Sequence, residues 1–449
     1  MATLIDRFPV SSVFFASLAA SVATVMAIQT VGPTPVLALY IIAWLVAFFS
    51  HRPTWLLMLW PAFLPLLEIF RNLTIRAGPI LLLPLDPVYF LSLVCLTIVA
   101  LNRPKTLMRS LRENHFLSFF LLIVITYIIL CTPLYGKSAI GEARKFYVFF
   151  VFPVLTVFFV KTVRDLHGVL LTFSFGGVCL LVTCYVRLSM RTPLRFLADS
   201  SASLMLLFMV LTILIFHLNK EALINRTIDL TIAGLSVPII VMTQHRTVFL
   251  ASALGLWWLF WLYRARAVLL VKGATVALAL LTVLGVIMTS TPSFERYTIG
   301  RLAGLINPSA DRTGSWRIQG WQQQLTELSG SRLLFGEGLG TYYSWMQGGR
   351  EVKASPHNAY IQLVLKFGLF GLMVYVLLAL RFFRASLSTR RKLPPGRMRA
   401  YVEVGIVNYG AAHAYMLGYG FQPSMLIFLA LAMAMQSLLR YHQEAPRPA

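Results

Sequence analysis

The chain has 449 residues, of which 58% are hydrophobic and 12% are charged. An ordinary soluble domain is about 45–50% apolar, so this composition excludes a water-soluble enzyme, a disordered protein and a secreted disulfide scaffold. The net charge of +23 is typical of a protein whose cytoplasmic loops meet anionic lipid head groups, and no nucleic-acid-binding motif accompanies it. These numbers predict a polytopic membrane protein with no nucleic-acid partner.

Apolar runs long enough to cross a bilayer recur along the whole chain. Because one membrane helix takes about 20 apolar residues, and several runs are short or contain proline, they predict an all-α bundle of 12–14 spans. The predicted spans lie near residues 10–29, 35–49, 54–70, 80–101, 116–132, 146–160, 168–187, 201–218, 227–243, 247–263, 273–290, 359–380, 401–416 and 424–438. Alternate connections carry most of the Lys and Arg outside the segment 291–358, which predicts that both termini lie in the cytoplasm.

The segment 291–358 interrupts this series of spans and short connections, because it is polar and too long for a simple connection. It predicts a large, partly helical periplasmic loop, with an amphipathic helix over Trp316–Leu328 near the membrane interface and a tight turn at Gly336, Gly338 and Gly340. The predicted organisation is therefore transmembrane helices over 1–290, the loop over 291–358, further transmembrane helices over 359–440 and a cytoplasmic tail over 441–449.

The sharpest motif closes this loop, where His357 and Asn358 precede nine residues, Gly368 and then Gly371. At 100° per residue, Gly368 lies about 20° from His357 around a helix, and Gly371 lies about 40° away on the other side. Glycines on this face would let a neighbouring helix pack closely and hold the histidine at the outer mouth of the span. Lys366 falls on the opposite face and is expected to reach the interface or a polar partner. An interfacial histidine without a function would explain the pattern equally well.

A second motif follows the apolar run 227–243, where Gln244, His245 and Arg246 form a very short outer turn before the next span. Arg246 is thus expected at a helix N-terminus, whose free N–H groups and dipole already favour an anion. A guanidinium there adds bidentate donors for phosphate, and Leu250 lies on the same face one turn later. Anchoring to a lipid phosphate is the simpler alternative.

The long loop also carries a set of basic residues that the distribution of charge elsewhere would not place on the outer side. A ligand with two phosphates would explain the set, and so would contact with outer-leaflet phospholipid. The residues are Arg296, Arg301, Arg312, Arg317, Arg332, Arg350 and Lys353.

Several common catalytic patterns are absent from the sequence: there is no DxD, no metal-ligand cluster, no Walker A loop and no GxSxG turn. No metal and no cofactor are therefore expected. A transporter would place ionisable groups in the middle of its spans, where Glu68, Asp86, Lys366 and Glu403 are the few candidates. The candidate residues gather at the outer surface instead, which favours an enzyme facing the periplasm.

These motifs resemble the bacterial O-antigen ligase and polymerase superfamily of the inner membrane. The shared pattern is a His-Asn pair, nine residues and Gly-x-x-Gly, matched here from His357 to Gly371. The ligases also carry an Arg-x-x-x-Leu element at a short outer loop, which is similar to Arg246 and Leu250.

Upstream of the histidine, the superfamily often has an arginine, a tryptophan one turn later and a glycine-rich turn. Arg317 and Trp321 are similar to the first two, with Arg312 and Arg301 as alternatives for the arginine. Lys366 departs from the pattern, since relatives often have Glu or Gln there.

The resemblance implies a metal-independent, inverting transfer of a glycan from undecaprenyl diphosphate to a sugar hydroxyl at the periplasmic face. It implies His357 as the base that takes the acceptor's proton and Arg246 and Arg317 as diphosphate ligands. A cavity open to the membrane lipids would receive the polyprenyl chain. An O-antigen ligase acting on lipid A–core is favoured, a polymerase of O-antigen or exopolysaccharide that extends a growing glycan is the alternative, and a non-enzymatic transporter of lipid-linked glycan is a third. The supporting residues are Asn358, Gly368, Gly371, Leu250 and Trp321.

Overall fold

The structure is a computed structural model, and it describes most of the chain between residues 104 and 420. The described residues are 104–143, 162–190, 197–243, 245–264, 312–341, 343–347, 349–353 and 356–420, together with 75–77, 80–82 and the single positions 94, 98, 102, 146, 160, 192, 428 and 433.

Ten helices lie within these residues. In chain order they are α1 (Pro104–Glu113), α2 (His115–Tyr135), α3 (Val163–Ser189), α4 (Ser200–Leu218), α5 (Arg226–Thr243), α6 (Arg246–Tyr263), α7 (Arg312–Glu327), α8 (Ser331–Phe335), α9 (Ala359–Lys392) and α10 (Arg397–Met416). Six of them, α2 to α6 and α9, are long and apolar enough to cross a membrane. The predicted all-α, polytopic membrane architecture is confirmed.

Seven predicted spans coincide with helices, although α10 is too polar to stand among the six apolar ones. It contains Arg397, Arg399 and Glu403, yet most of its side chains are buried by neighbouring helices. The predicted spans near 10–29, 35–49, 54–70, 146–160, 273–290 and 424–438 lie outside the described residues, apart from single positions.

The predicted span near 80–101 is wrong at its start. A two-stranded antiparallel hairpin, β1 (Ile75–Ala77) and β2 (Ile80–Leu82), pairs Ala77 with Ile80. Apolar β-strands and apolar helices cannot be distinguished by hydrophobicity alone, and the Gly78-Pro79 dipeptide between the strands was the turn signal.

Helices α4, α6 and α9 run in one direction and α5 and α10 run in the other, so the bundle has two distinct ends. At one end, called here the Glu403 end, Glu403 near the start of α10 meets Arg390 near the end of α9. At the other, called here the His357 end, Asn358 before α9 bonds to Leu417 after α10. The ends of α4, α6 and α9 all lie at the Glu403 end, as the alternation of basic segments predicted. That this end faces the cytoplasm stays a prediction.

Helix α9 is interrupted at Gly368, which has φ 69° and ψ −173° inside an otherwise helical run. A Cβ at Gly368 would overlap the carbonyl group of Leu334 in α8, so only glycine fits this close backbone approach. The predicted regular helix from His357 through Gly371 is therefore wrong beyond Phe367. The angular relation of the two glycines to the histidine fails because a backbone contact with a distant segment replaces helical geometry at this point.

The amphipathic helix of the long loop is present as α7 and begins at Arg312, four residues before the predicted start. It packs on a second hairpin, β3 (Ser344–Gln347) with β4 (Arg350–Lys353). Trp316 stacks on Trp345 with ring centroids 5.2 Å apart, and a Cβ at Gly320 would overlap the Trp345 ring. The tryptophan side of this helix thus contacts the protein's own hairpin. Its predicted position at the membrane interface stays a prediction.

Candidate active site

Asn358 begins α9 as its N-cap residue. Its side-chain oxygen accepts hydrogen bonds from the backbone N–H groups of Tyr360 at 3.0 Å and Ile361 at 3.1 Å. Its side-chain nitrogen donates to the carbonyl of Leu417 at 2.9 Å. The buried amide therefore satisfies the start of one helix and also ties it to the end of another.

His357 precedes this cap with φ 49°, a left-handed conformation that is uncommon for residues other than glycine. Two neighbours hold the backbone there, since Asn358 caps the helix and the indole N–H of Trp321 donates to the carbonyl of Pro356. The half-buried imidazole lies between two rings, with centroids 5.6 Å from Tyr419 and 6.2 Å from Trp316. The side chain of the predicted supporting residue Trp321 thus acts on the segment that carries His357.

Arg317 reaches the same place from α7. Its Nη1 donates to the carbonyl of Gly418 at 3.4 Å, and its guanidinium carbon lies 5.8 Å from the ring centroid of Trp316. Of its two alternatives, Arg312 begins α7 and Arg301 lies outside the described residues.

Arg246 is the first residue of α6, as the sequence predicted. The N-cap position is held by His245, whose ring nitrogen lies 3.0 Å from the carbonyl oxygen of Ala198. Thr247, the next residue, packs so closely on Gly418 that a Cβ there would lie 2.6 Å from the threonine methyl group. The start of α6 therefore lies against the residue that Arg317 contacts.

Residues 417–420, called here the 417–420 segment, connect these side chains. The segment follows α10 and accepts hydrogen bonds from Asn358 and Arg317. It also packs on Thr247 through Gly418 and on the His357 ring through Tyr419. The structure thus brings the N-terminus of α6, the start of α9 and one side of α7 to a single point at the His357 end.

An apolar cavity of about 500 Å³ opens directly below this point. Leu250, the predicted partner of Arg246, is 45% exposed and lines it, as does Trp257, which is 52% exposed. One polar pair borders the cavity, where the Tyr360 hydroxyl lies 2.6 Å from Nδ1 of His413. The other lining residues are Ala253, Leu254, Ala414 and Leu417.

Gly368 and Gly371 do not lie among these side chains. They belong to the break in α9, where a Cβ at Gly371 would overlap the side chain of Phe367. The 417–420 segment, Trp316 and the Tyr360–His413 pair were not among the predicted site residues. Gly418-Tyr419-Gly420, directly after the predicted span 401–416, is a turn signal that marks the first of them.

The fold and the site together define a helical, polytopic membrane protein with arginine and histidine side chains gathered at one end of the bundle, above an apolar cavity. Residues 231–376 match the family described as O-antigen ligase, and this match confirms the resemblance to the O-antigen ligase and polymerase superfamily. All eight predicted site residues fall within the matched range, whereas the 417–420 segment lies beyond it. A comparison with curated proteins found no match.

Asn358 offers a test of how the site is held together. Asn358→Ala should lower the free energy of unfolding by about 1 kcal/mol through the lost cap, with a further loss of about 1 kcal/mol from the bond to Leu417. Asn358→Asp keeps the cap but cannot donate to Leu417, so it should show only the second loss. Thermal unfolding of both purified variants in detergent checks this, and equal midpoints for the alanine variant and the native chain would contradict it.

Proposed function

We propose that the chain transfers a glycan from undecaprenyl diphosphate to a sugar hydroxyl at the periplasmic face of the inner membrane, without a metal ion and with inversion at the anomeric carbon. The observation that carries this proposal is the convergence of His357, Arg317 and the start of α6 on the 417–420 segment, within a region that matches the O-antigen ligase family. The favoured acceptor is lipid A–core, which makes the chain an O-antigen ligase.

The proposed chemistry needs one proton acceptor and a stabiliser for the leaving group. His357 accepts the proton of the acceptor hydroxyl as that oxygen attacks the anomeric carbon. Arg246 and Arg317 bind the diphosphate, whose negative charge grows as its bond to the sugar breaks. The N-terminus of α6 adds backbone N–H groups and a favourable dipole to Arg246. Direct displacement by the acceptor inverts the configuration.

The cavity below the site supplies a place for the lipid part of the donor. Its apolar lining, with Leu250 and Trp257 exposed at the surface of α6, suits a polyprenyl chain that enters from the membrane. A donor whose diphosphate lies at Arg246 would extend its first isoprene units past Leu250, one helical turn further on. This arrangement gives the Arg-x-x-x-Leu element a role for both of its residues.

The transporter alternative is weakened by the described ionisable residues. Lys366 has an ion pair with Glu142 at 2.7 Å, and Glu403 has ion pairs with Arg390 and Arg399, so both candidates are structurally engaged. Glu68 and Asp86 lie outside the described residues. A carrier of lipid-linked glycan would need groups that change partners during transport.

The decisive experiment reconstitutes the purified chain with a lipid-linked glycan donor and a lipid A–core acceptor in the presence of EDTA. Glycosylated acceptor should form, and it should carry the inverted linkage. A transporter would give no product but would move lipid-linked glycan across a vesicle membrane. A gel of cell-envelope glycans separates ligase from polymerase: loss of a ligase leaves core lipid bare, whereas loss of a polymerase leaves the core capped with single repeat units or removes an exopolysaccharide.

The diphosphate assignment makes a separate prediction. Arg246→Ala and Arg317→Ala should each raise the Kd for the lipid-linked donor by about 10–100-fold, because a charge-assisted hydrogen bond contributes about 1.5–3 kcal/mol. Arg350→Ala is the matched control, since Arg350 is an exposed arginine of the same loop on β4. Donor binding to each variant in detergent measures this. If Arg312→Ala weakens binding and Arg317→Ala does not, the second ligand is Arg312.

A further inference from the structure

Lys366 is the most completely buried cation among the described residues, with no exposed surface. Its ammonium group makes an ion pair with Oε2 of Glu142 at 2.7 Å and donates to both oxygens of Thr341, at 2.6 and 2.7 Å. The ring centroid of Tyr343 lies 4.3 Å away. Burial raises the pKa of the Tyr343 hydroxyl well above its ordinary value, so a neutral aromatic ring covers the charge.

Glu142 also contacts the glycine turn, residues 336–341, to which Thr341 belongs. Its Oε2 also accepts from the backbone N–H of Gly340 at 2.7 Å. Glu142 belongs to a helical stretch, 137–143, that follows α2, and Lys366 belongs to α9. The ion pair thus joins three segments distant in sequence: the stretch after α2, the turn 336–341 and α9.

The same turn completes the hydrogen bonds that α9 loses at Gly368. In a regular helix the carbonyls of Leu365 and Lys366 would accept from residues 369 and 370. Here they accept from the backbone N–H groups of Glu337 at 2.7 Å and Gly338 at 3.2 Å. The break in α9 and the glycine turn are therefore one structural unit, with the buried ion pair at its side.

This unit interrupts the helix between the candidate site and the rest of α9. The nine residues 359–367, called here the N-terminal segment of α9, carry Asn358 and His357 directly before them. Because the break at Gly368 removes helical continuity, the remainder of α9 does not set the direction of this segment. The bonds of Lys366, two residues before the break, hold the C-terminal end of this segment, as the bond of Asn358 to Leu417 holds its start.

We propose that Glu142 and Lys366 are positioning residues for glycan transfer: their ion pair fixes the N-terminal segment of α9 and thereby the place of the His357 imidazole. This inference rests on the proposed function of His357 as the base. It gives Lys366, which departs from the superfamily's usual Glu or Gln, a partner of opposite charge in the same chain. In this role neither residue touches the substrate.

The test compares Glu142→Gln, Lys366→Gln and the double variant. Glu142→Gln leaves the buried charge of Lys366 without its partner, and Lys366→Gln leaves the partly buried charge of Glu142 without its partner, whereas the double variant removes both charges. We expect each single substitution to lower kcat by about tenfold or more, with the Kd for donor within about threefold of the native value, because a small displacement of a catalytic group has a large effect on rate. The double variant should regain activity above both singles.

Arg399→Gln is the control, because it breaks an ion pair with Glu403 at the opposite end of the bundle. It should lower the melting temperature without changing kcat below that temperature. Native kcat in both single variants would overturn the proposal, as would a double variant no better than the better single. Parallel losses of donor binding and kcat would also overturn it, since they indicate general damage to the site.

Hydrogen exchange provides a readout that does not depend on activity. In both single variants, the amides of Glu337 and Gly338 and those of the N-terminal segment of α9 should exchange faster, while α4 keeps its native protection. If the native chain transfers no glycan, the proposed function fails, and exchange still reports whether the ion pair orders this segment. Unchanged exchange in an active enzyme rejects the positioning role alone.

Discussion

His357→Ala is expected to abolish measurable transfer, with kcat reduced by about 10²–10⁴-fold, the usual contribution of a positioned general base. Donor affinity should stay within a few-fold of the native value, because the diphosphate is bound by the two arginines and the lipid by the cavity. Such a selective loss of kcat identifies an interaction made in the transition state. Single-turnover transfer and donor binding, measured on the same preparation, check both halves of this expectation.

Two further variants make the result specific. His357→Gln preserves much of the side-chain volume between Trp316 and Tyr419 but cannot act as a base, so it should be as inactive as the alanine variant. His167→Gln replaces a histidine whose ring nitrogen lies 2.9 Å from the Tyr401 hydroxyl, near the Glu403 end, and should leave kcat unchanged. Native turnover by either His357 variant would show that another group accepts the proton.

The sequence predicted the helices well because their determinants are local. A membrane helix satisfies its own backbone hydrogen bonds, and bilayer thickness sets its length, so hydropathy locates it. The helix starts at Arg246 and after Asn358 were predicted for the same reason. Both follow polar residues at the edge of an apolar run.

The break at Gly368 could not be predicted in this way. A glycine within an apolar run is compatible with a continuous helix, and only the approach of the α8 backbone decides otherwise. The partner of Lys366 was equally hidden, because Glu142 lies more than 200 residues earlier in the sequence. Periodicity describes the faces of one helix and carries no information about such distant contacts.

The candidate site could be predicted in part: its residues are marked by local sequence, but the contacts that bring them together are not. Residue types and local spacing singled out His357, Arg246 and Arg317, but the meeting of the segments that carry them depends on the 417–420 segment, whose sequence signals only a turn. Its role arises from backbone carbonyls that accept from Asn358 and Arg317. Every residue has the same backbone carbonyl, whatever its side chain. No sequence pattern therefore marks this function.

The Glu403 end offers the largest expected effect on stability. The carboxylate of Glu403 is completely buried, and its Oε1 accepts from Arg390 at 2.6 Å and Arg399 at 2.9 Å. Its Oε2 accepts from Asn219 at 2.7 Å and from the hydroxyl of Tyr263. This one side chain therefore joins α4, α6, α9 and α10 at the end of the bundle opposite the candidate site.

Glu403→Ala should lower the free energy of unfolding by about 3–5 kcal/mol, because it leaves two partly buried guanidinium groups without their carboxylate. The matched control is Arg397→Gln, which removes an exposed ion pair with Glu221 at 3.2 Å and should change stability by at most about 1 kcal/mol. Unfolding of the purified proteins in detergent measures both effects. Since Glu403 and His357 lie at opposite ends of the bundle, the alanine variant should retain native kcat below its melting temperature. Equal destabilisation by the two substitutions would contradict a central role for the buried carboxylate, and a selective loss of kcat would mean that the two ends of the bundle are coupled.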